Sequence, residues 1–178
     1  MKPPTVLASE TVFEGRRVTL RRDRLVSGSG HEFVREVVVH PGAAVVVPFL
    51  PDGRILFVRQ YRHAVGQFLT ELPAGTLEPS EDAAVCAARE LEEETGWRAG
   101  KLAPLGTVYP SPGVLSEVMV LFEARDLSPG LLNRDPGTEE DMQTEALEPS
   151  QALARVRSGE IRDAKTVLSL FLALGGES

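Results

Sequence analysis

GTLEPSEDAAVCAARELEEETGW, running from Gly75 to Trp97, is the stretch whose reading decides the fold. Ala84, Ala87, Ala88 and Leu91 fall at i, i+3, i+4 and i+7, the spacing of one helical face. Pro79-Ser80 is the expected entry, with Ser80 as N-cap and acids in the first turn. Gly96 is the expected exit. Glu90, Glu92, Glu93 and Glu94 crowd the last turn, where negative charge opposes the helix dipole at about 0.3–1 kcal/mol per group. Glu90 and Glu94 add a like-charged i, i+4 pair, worth about 0.2–0.5 kcal/mol of repulsion. A bound divalent cation would reverse the sign of every one of these terms. The alternative is an acidic, solvated face on an ordinary helix, with Arg89 as its nearby basic partner.

The remainder of the 178-residue chain narrows the class of protein. Its formal net charge is −7, its apolar and charged fractions are ordinary for a globular protein, and its length suits one domain with a small appended element. No apolar run approaches the ~20 residues of a membrane helix. The start, MKPPTVLASETVFEG, lacks the apolar stretch of a signal peptide. Cys86 is the only cysteine, so no internal disulfide forms, and its place among small apolar residues reads as core. Together these features set the expectation of a cytoplasmic protein. Charge is uneven: residues 1–62 carry +4 and residues 63–178 carry −11. One part can contact phosphate while the other gathers metal. Nucleic acid is disfavoured by the acidic total and the lack of a basic run.

Residues 16–26 and 32–40 read as strands, and Ser27-Gly28-Ser29-Gly30 as the turn between them. The arginines of the first strand (Arg16, Arg17, Arg21, Arg22 and Arg24) suit a solvated edge. AAVVVPFL, residues 43–50, reads as a buried strand, and ILFVRQ, residues 55–60, as its hairpin partner across Pro51-Asp52-Gly53. Strands are expected again over 101–109 and 117–124. Residues 125–142, rich in Pro, Gly and acids, read as a mobile surface segment. Pro149–Arg157 and Asp163–Leu174 read as helices. This order predicts an α+β protein, an α-β-α sandwich with a mixed central sheet. The expected organisation is an N-terminal antiparallel β hairpin over residues 1–40 and a main domain over 41–178.

Gly75, Glu81, Arg89-Glu90-Leu91, Glu93-Glu94 and Gly96 reproduce, at every charged and glycine position, the motif of the Nudix hydrolases. Trp97 stands where that motif usually has a bulky aliphatic residue. The wider chain resembles the ADP-ribose pyrophosphatase branch of that superfamily. Arg59-Gln60-Tyr61-Arg62, Glu71-Leu72-Pro73-Ala74-Gly75, Pro112 (sixteen residues beyond Gly96) and Gly159 to Thr166 are similar to its segments. Related enzymes acting on GDP-mannose share several of them.

The resemblance implies a Mg2+-dependent enzyme, with Mn2+ as an alternative ion, that cleaves the diphosphate of a nucleoside diphosphate sugar. For ADP-ribose the products are AMP and ribose 5-phosphate. Magnesium prefers oxygen ligands, and Glu90 and Glu94 lie one helical turn apart. The resemblance makes them ligands together with the carbonyl of Ala74, with Glu93 and Glu81 joining further ions or supporting them. Glu92 is out of phase and reads as solvated. Arg89 either binds phosphate or, as the resemblance favours, orients the acidic side chains. Glu117, five residues beyond Pro112, is the candidate general base; its other reading is a strand-edge carboxylate. Glu139, Glu140 and Asp141 are rivals for that role. Arg62 is the candidate diphosphate contact, against a surface salt bridge. Arg35 and Glu36 resemble residues that meet the adenine end, where Phe33 or Tyr61 are candidates for stacking. His31, His40 and His63 show no metal-ligand spacing. The N-terminal hairpin resembles a dimerisation element, which implies a homodimer.

A substrate of the GDP-mannose kind is the nearest alternative. Another is a non-catalytic ADP-ribose sensor, although sensors usually lose the acidic residues that Glu90, Glu93 and Glu94 preserve here. A plain interaction module is a third.

Overall fold

β4 (Ala43–Pro48) is buried at every residue in the computed structural model, which describes residues 2–134 and 141–175. Such a strand must be covered on both faces, and the clusters around it show how. Ala44 and Val46 pack with Cys86, Ala87 and Leu91 of α1 (Ala83–Thr95). Val45 and Val47 pack on the opposite side with Ala152 of α2 (Pro149–Arg157) and Leu170 of α3 (Ala164–Leu174). Alternation along one strand thus divides the core into two layers. Leu91 is fully buried, and its truncation to Ala would cost about 2–5 kcal/mol.

The chain forms two compact units: residues 43–108 with 119–178, and residues 1–42 with 109–118. In the first of these, β4 lies between β7 (Ala74–Thr76) and β10 (Met119–Arg125), and β9 (Lys101–Val108) pairs with the far side of β10. β10 runs parallel to β4, while β7 and β9 run antiparallel to their neighbours, so the sheet is mixed. A second, antiparallel sheet has β5 (Ile55–Arg62) between β6 (Gln67–Glu71) and β12 (Gln143–Leu147). Its Ile55, Phe57, Leu72 and Leu147 side join the layer that holds α2 and α3. The expected α+β layering with a mixed sheet is present, and both C-terminal helices lie where they were expected.

Three expectations need correction. First, residues 43–60 do not form a hairpin. Pro51-Asp52-Gly53 makes the turn, with the Leu50 N–H donating to the Arg54 carbonyl, but Phe49 and Ile55 make only an isolated bridge. β4 and β5 then enter different sheets, because each apolar strand already has a neighbour on both sides. Second, residues 125–142 are not simply a mobile surface segment. Leu127 and Met142 are buried, and β11 (Ser128–Pro129) pairs with β8 (Trp97–Arg98). Third, the helix cap is Asp82, whose side chain accepts from the Ala84 N–H at 2.8 Å; Ser80 sits before it in a left-handed turn with φ 65°. Gly96 is the C-cap as expected, with φ 73°.

The other unit holds the expected antiparallel hairpin, β2 (Thr19–Val26) and β3 (Glu32–Val39), and a further strand, β1 (Thr5–Glu14), extends it to a three-stranded meander. β1 is exposed at every residue, so it has no buried face to announce it by alternation. The turn at Ser27–Gly30 forms as expected. Asp23 is the polar anchor of the sheet, accepting from Ser9 Oγ at 2.6 Å and from the Arg21 guanidinium. Residues 114–116 join this unit through Val38, whose N–H donates to Val114 and whose carbonyl accepts from Ser116.

In the unit built around β4, α3 is tied to the end of β6. Thr166 Oγ1, fully buried, accepts from the Leu72 N–H at 2.8 Å and donates to Asp163 Oδ2 at 2.6 Å. Thr166→Val preserves shape but leaves the buried Leu72 donor unsatisfied, a penalty of about 1–3 kcal/mol. Urea denaturation of the variant should show that loss; unchanged stability would contradict it.

Candidate active site

The site begins with a steric requirement at Gly75. A Cβ built there would lie 1.8 Å from Glu90 Oε1, so only glycine lets the strand β7 approach the helix α1 this closely. Glu90 and Glu94 lie on the α1 side facing this strand. Glu94 is 2% exposed and its Oε2 accepts from the Ala74 N–H at 3.2 Å. Cys86, on the same helix, is buried core as expected, and burial first, then the acidic neighbours, push its thiol up to about 12. It is therefore not a nucleophile.

Arg89 gathers the acids. Its Nε donates to Glu81 Oε1 at 2.9 Å, and its Nη1 donates to Glu90 Oε1 at 2.7 Å and to Glu93 Oε2 at 3.1 Å. Nη2 donates to Glu81 Oε2 at 3.1 Å. These bonds hold the guanidinium proton more firmly than usual. The Arg89 hydrogen bonds, helped by the Glu78 backbone N–H, pull the Glu81 carboxyl down from 4.5 to about 2. Arg89 thus bonds three carboxylates drawn from the helix and its entry loop.

The acidic end of α1 has further support that the sequence reading missed. The Asn133 N–H donates to the Glu93 carbonyl, and Arg134 Nε donates to the Glu94 carbonyl at 3.0 Å. Arg134 Nη1 also donates to the Met142 carbonyl. A cation at a helix C-terminus meets the negative end of the dipole. Glu92 is not merely solvated: its carboxylate accepts from Arg98 Nε at 2.8 Å and from the Leu131 N–H at 2.9 Å. No periodicity announces the Leu131, Asn133 and Arg134 contacts, which come from a loop over thirty residues downstream.

Beside Glu94 lies a second ionic group. Arg62, at the end of β5, forks onto the fully buried Glu71, with Nε and Nη2 each donating to one carboxylate oxygen at 2.8 Å. Lys165 Nζ donates to the same Glu71 Oε2. Burial pushes the Glu71 carboxyl up, but these two cations more than offset it and hold it below the ordinary range. The charge of Glu94 also acts on Arg62. The sequence reading named Arg62 but gave Glu71 and Lys165 no role.

Arg35, Glu36 and Glu117 fall in the other unit. Arg35 stacks over the Phe33 ring at 4.6 Å, and Glu36 faces Arg22 at 3.6 Å. Glu117 is largely buried and lies 3.6 Å from His40 Nδ1, which accepts from the Gly42 N–H. His40 stands just beyond the end of β3 and is held there by the Gly42 backbone. Tyr61 is half exposed and packs against Phe68 with ring centroids 5.4 Å apart. Asp141 is exposed; Glu139 and Glu140 lie outside the described residues.

Ala74, Glu81, Glu90, Glu93 and Glu94 offer only oxygen donors, which fits a hard divalent cation. Among the described residues, no three acidic, His or Cys side chains stand as a ready metal cage; here Arg89 bonds Glu81, Glu90 and Glu93 instead.

The NUDIX domain family model matches residues 39–168. The chain belongs to the Nudix family. An ADP-ribose pyrophosphatase of Bacillus subtilis (strain 168) is 37% identical over 92% of this chain and 89% of its own length. A methanol dehydrogenase activator of Bacillus methanolicus is 36% identical over the same shares. A GDP-mannose pyrophosphatase of Escherichia coli O1:K1 / APEC is 36% identical over 72% of this chain and 71% of its own. A crystal structure of an ADP compounds hydrolase superposes with a TM-score of 0.87 at 26% identity, covering 98% of this chain and 94% of that one.

The Glu81–Arg89 pair sets a pH window. A depressed carboxyl stabilises the fold above its unfolded value, and that contribution fades as pH falls from 4.5 towards about 2. NMR titration should find the Glu81 carboxyl midpoint near 2, moving up towards 4.5 in Arg89→Met. An unshifted midpoint in the parent protein would contradict the pairing.

Proposed function

We propose that this Nudix protein is a divalent-metal-dependent pyrophosphohydrolase that uses water to cleave ADP-ribose into AMP and ribose 5-phosphate. The observation that carries this reading is the close approach of β7 and α1 at Gly75, which brings the Ala74 segment against Glu90 and Glu94. Glu90, Glu94 and the Ala74 carbonyl are the residues to hold Mg2+, or Mn2+ in its place, with Glu93 and Glu81 alongside. The ion, when bound, neutralises the diphosphate and makes water more acidic.

The remaining roles belong to side chains. Arg89 keeps the acids from repelling one another and sets their rotamers. Arg62 contacts the diphosphate through Nη1, the edge of its fork outside the pair with Glu71. Glu117 takes the proton of the attacking water as general base, as the phosphorus–oxygen bond of the diphosphate breaks. Arg35 and Glu36 meet the adenine end.

Relatives named for ADP-ribose cover most of the chain, which supports that substrate; the GDP-mannose relative supports the second reading, a different sugar nucleotide. The retained Glu90, Glu93 and Glu94 argue against a non-catalytic sensor. The acidic net charge argues against nucleic acid as partner. No described helix is long and apolar enough to cross a membrane. A free Cys86 and a diffusible nucleotide substrate suit the cytoplasm. β1, with Val6, Leu7 and Phe13 exposed, suits a homodimer contact.

With Mg2+ and a panel of ADP-ribose, ADP-glucose and GDP-mannose, ADP-ribose should give the highest kcat/KM, with AMP and ribose 5-phosphate as products. Preference for GDP-mannose would select the second reading. Glu94→Gln should lower kcat by about 100-fold or more, since metal charge stabilisation is worth several kcal/mol. Near-normal turnover would remove Glu94 from the ligand set. Light scattering should return twice the 19.3 kDa chain mass; one chain mass would exclude the homodimer.

A further inference from the structure

We infer that Lys165, at the start of α3, is a positioning residue for the diphosphate contact, acting on Arg62 through the buried carboxylate of Glu71. The inference deepens the proposed function and rests on its assignment of Arg62. Glu71 is fully buried and carries two cations, the fork of Arg62 and the ammonium of Lys165. Asp163 lies 2.9 Å from Lys165 Nζ and also caps α3 by accepting from the Thr166 N–H at 3.0 Å. Two cations and two anions therefore balance.

Burying a lysine ammonium this far is costly unless a charge partner requires it. The Lys165 side chain is only 11% exposed. Packing alone would be met better by an apolar residue. Its effect is to share the charge of Glu71, so that Arg62 is oriented by the carboxylate without being neutralised by it alone. The two-point fork fixes the guanidinium plane, and Nη1 remains for a phosphate oxygen. Asp163 and Thr166 hold the lysine in register with β6, since Thr166 bonds Leu72, the residue after Glu71. The C-terminal helix thus reaches the reaction through a chain of named contacts: Asp163 to Lys165, Lys165 to Glu71, and Glu71 to Arg62.

Lys165→Met leaves the group with one excess negative charge beside the incoming diphosphate and ties Arg62 more tightly to Glu71. With ADP-ribose and Mg2+, KM should rise about tenfold while kcat stays within about twofold, the pattern of lost uniform binding. Lys165→Arg, which keeps the charge, should hold KM within about threefold of the parent. Because Lys165 acts through Arg62, adding Lys165→Met to Arg62→Ala should leave KM where Arg62→Ala already put it. Circular dichroism accompanies each variant, and Lys165→Gln replaces Lys165→Met if the latter is not recovered folded. A merely structural lysine would lower the melting temperature and the active fraction without moving KM, and its effect would add to that of Arg62→Ala. Either result overturns the inference. A silent Lys165 beside a large KM effect of Arg62→Ala sinks this inference alone; a silent Arg62→Ala removes the proposed contact and the inference with it.

Discussion

One guanidinium makes the acidic turn of α1 possible. Glu90, Glu93 and Glu94 stand at the end of a helix whose dipole repels them, and they repel one another. Arg89 meets Glu90 and Glu93 from within the helix and reaches across to Glu81 in the entry loop. Arg134 adds positive charge at the helix terminus by bonding the Glu94 carbonyl. The sheet then has only to bring Gly75 and Ala74 against this preassembled acidic surface. The guanidinium that offsets this repulsion also fixes where the carboxylates of Glu81, Glu90 and Glu93 stand.

The second constraint is β4. Its uniformly buried sequence cannot sit at the edge of a sheet, so α1 must cover one face and the C-terminal helices the other. Helices nearly seventy residues apart in the chain are therefore held against a single strand. This is why a lysine near the end of the sequence can lie within bonding distance of a glutamate that precedes the Nudix motif. Long-range polar contacts of this kind depend on the layering before they depend on the residues themselves.

Much of this was legible beforehand, for identifiable reasons. α1 announces itself by its 3.6-residue periodicity and its stop by the glycine at position 96, and α2 and α3 read as helices too. Arg89 and the acidic residues Glu81, Glu90, Glu93 and Glu94 were legible as one group because they lie within one helix and its entry loop. What escaped was set by tertiary pairing. β4 and β5 looked like a hairpin because a turn signal joins two apolar runs, and nothing local says that each already has other neighbours. β1 has no buried face to betray it. Residues 130–134 looked mobile by composition, yet their backbone donors fill vacancies at the end of α1. Glu71 and Lys165 each look like ordinary charges until the fold buries them together.

Gly75 carries a lesson about what a glycine can mean. Its backbone is not in the left-handed region, so its value here does not lie in freedom of rotation. It lies in emptiness. The Glu90 carboxylate occupies the volume where any other amino acid would carry its first side-chain carbon. A negatively charged group has been given the address of a methyl, and the strand is thereby brought closer to the helix than two ordinary residues allow. The motif opens with glycine because the smallest residue is the only one that leaves a berth for the charge.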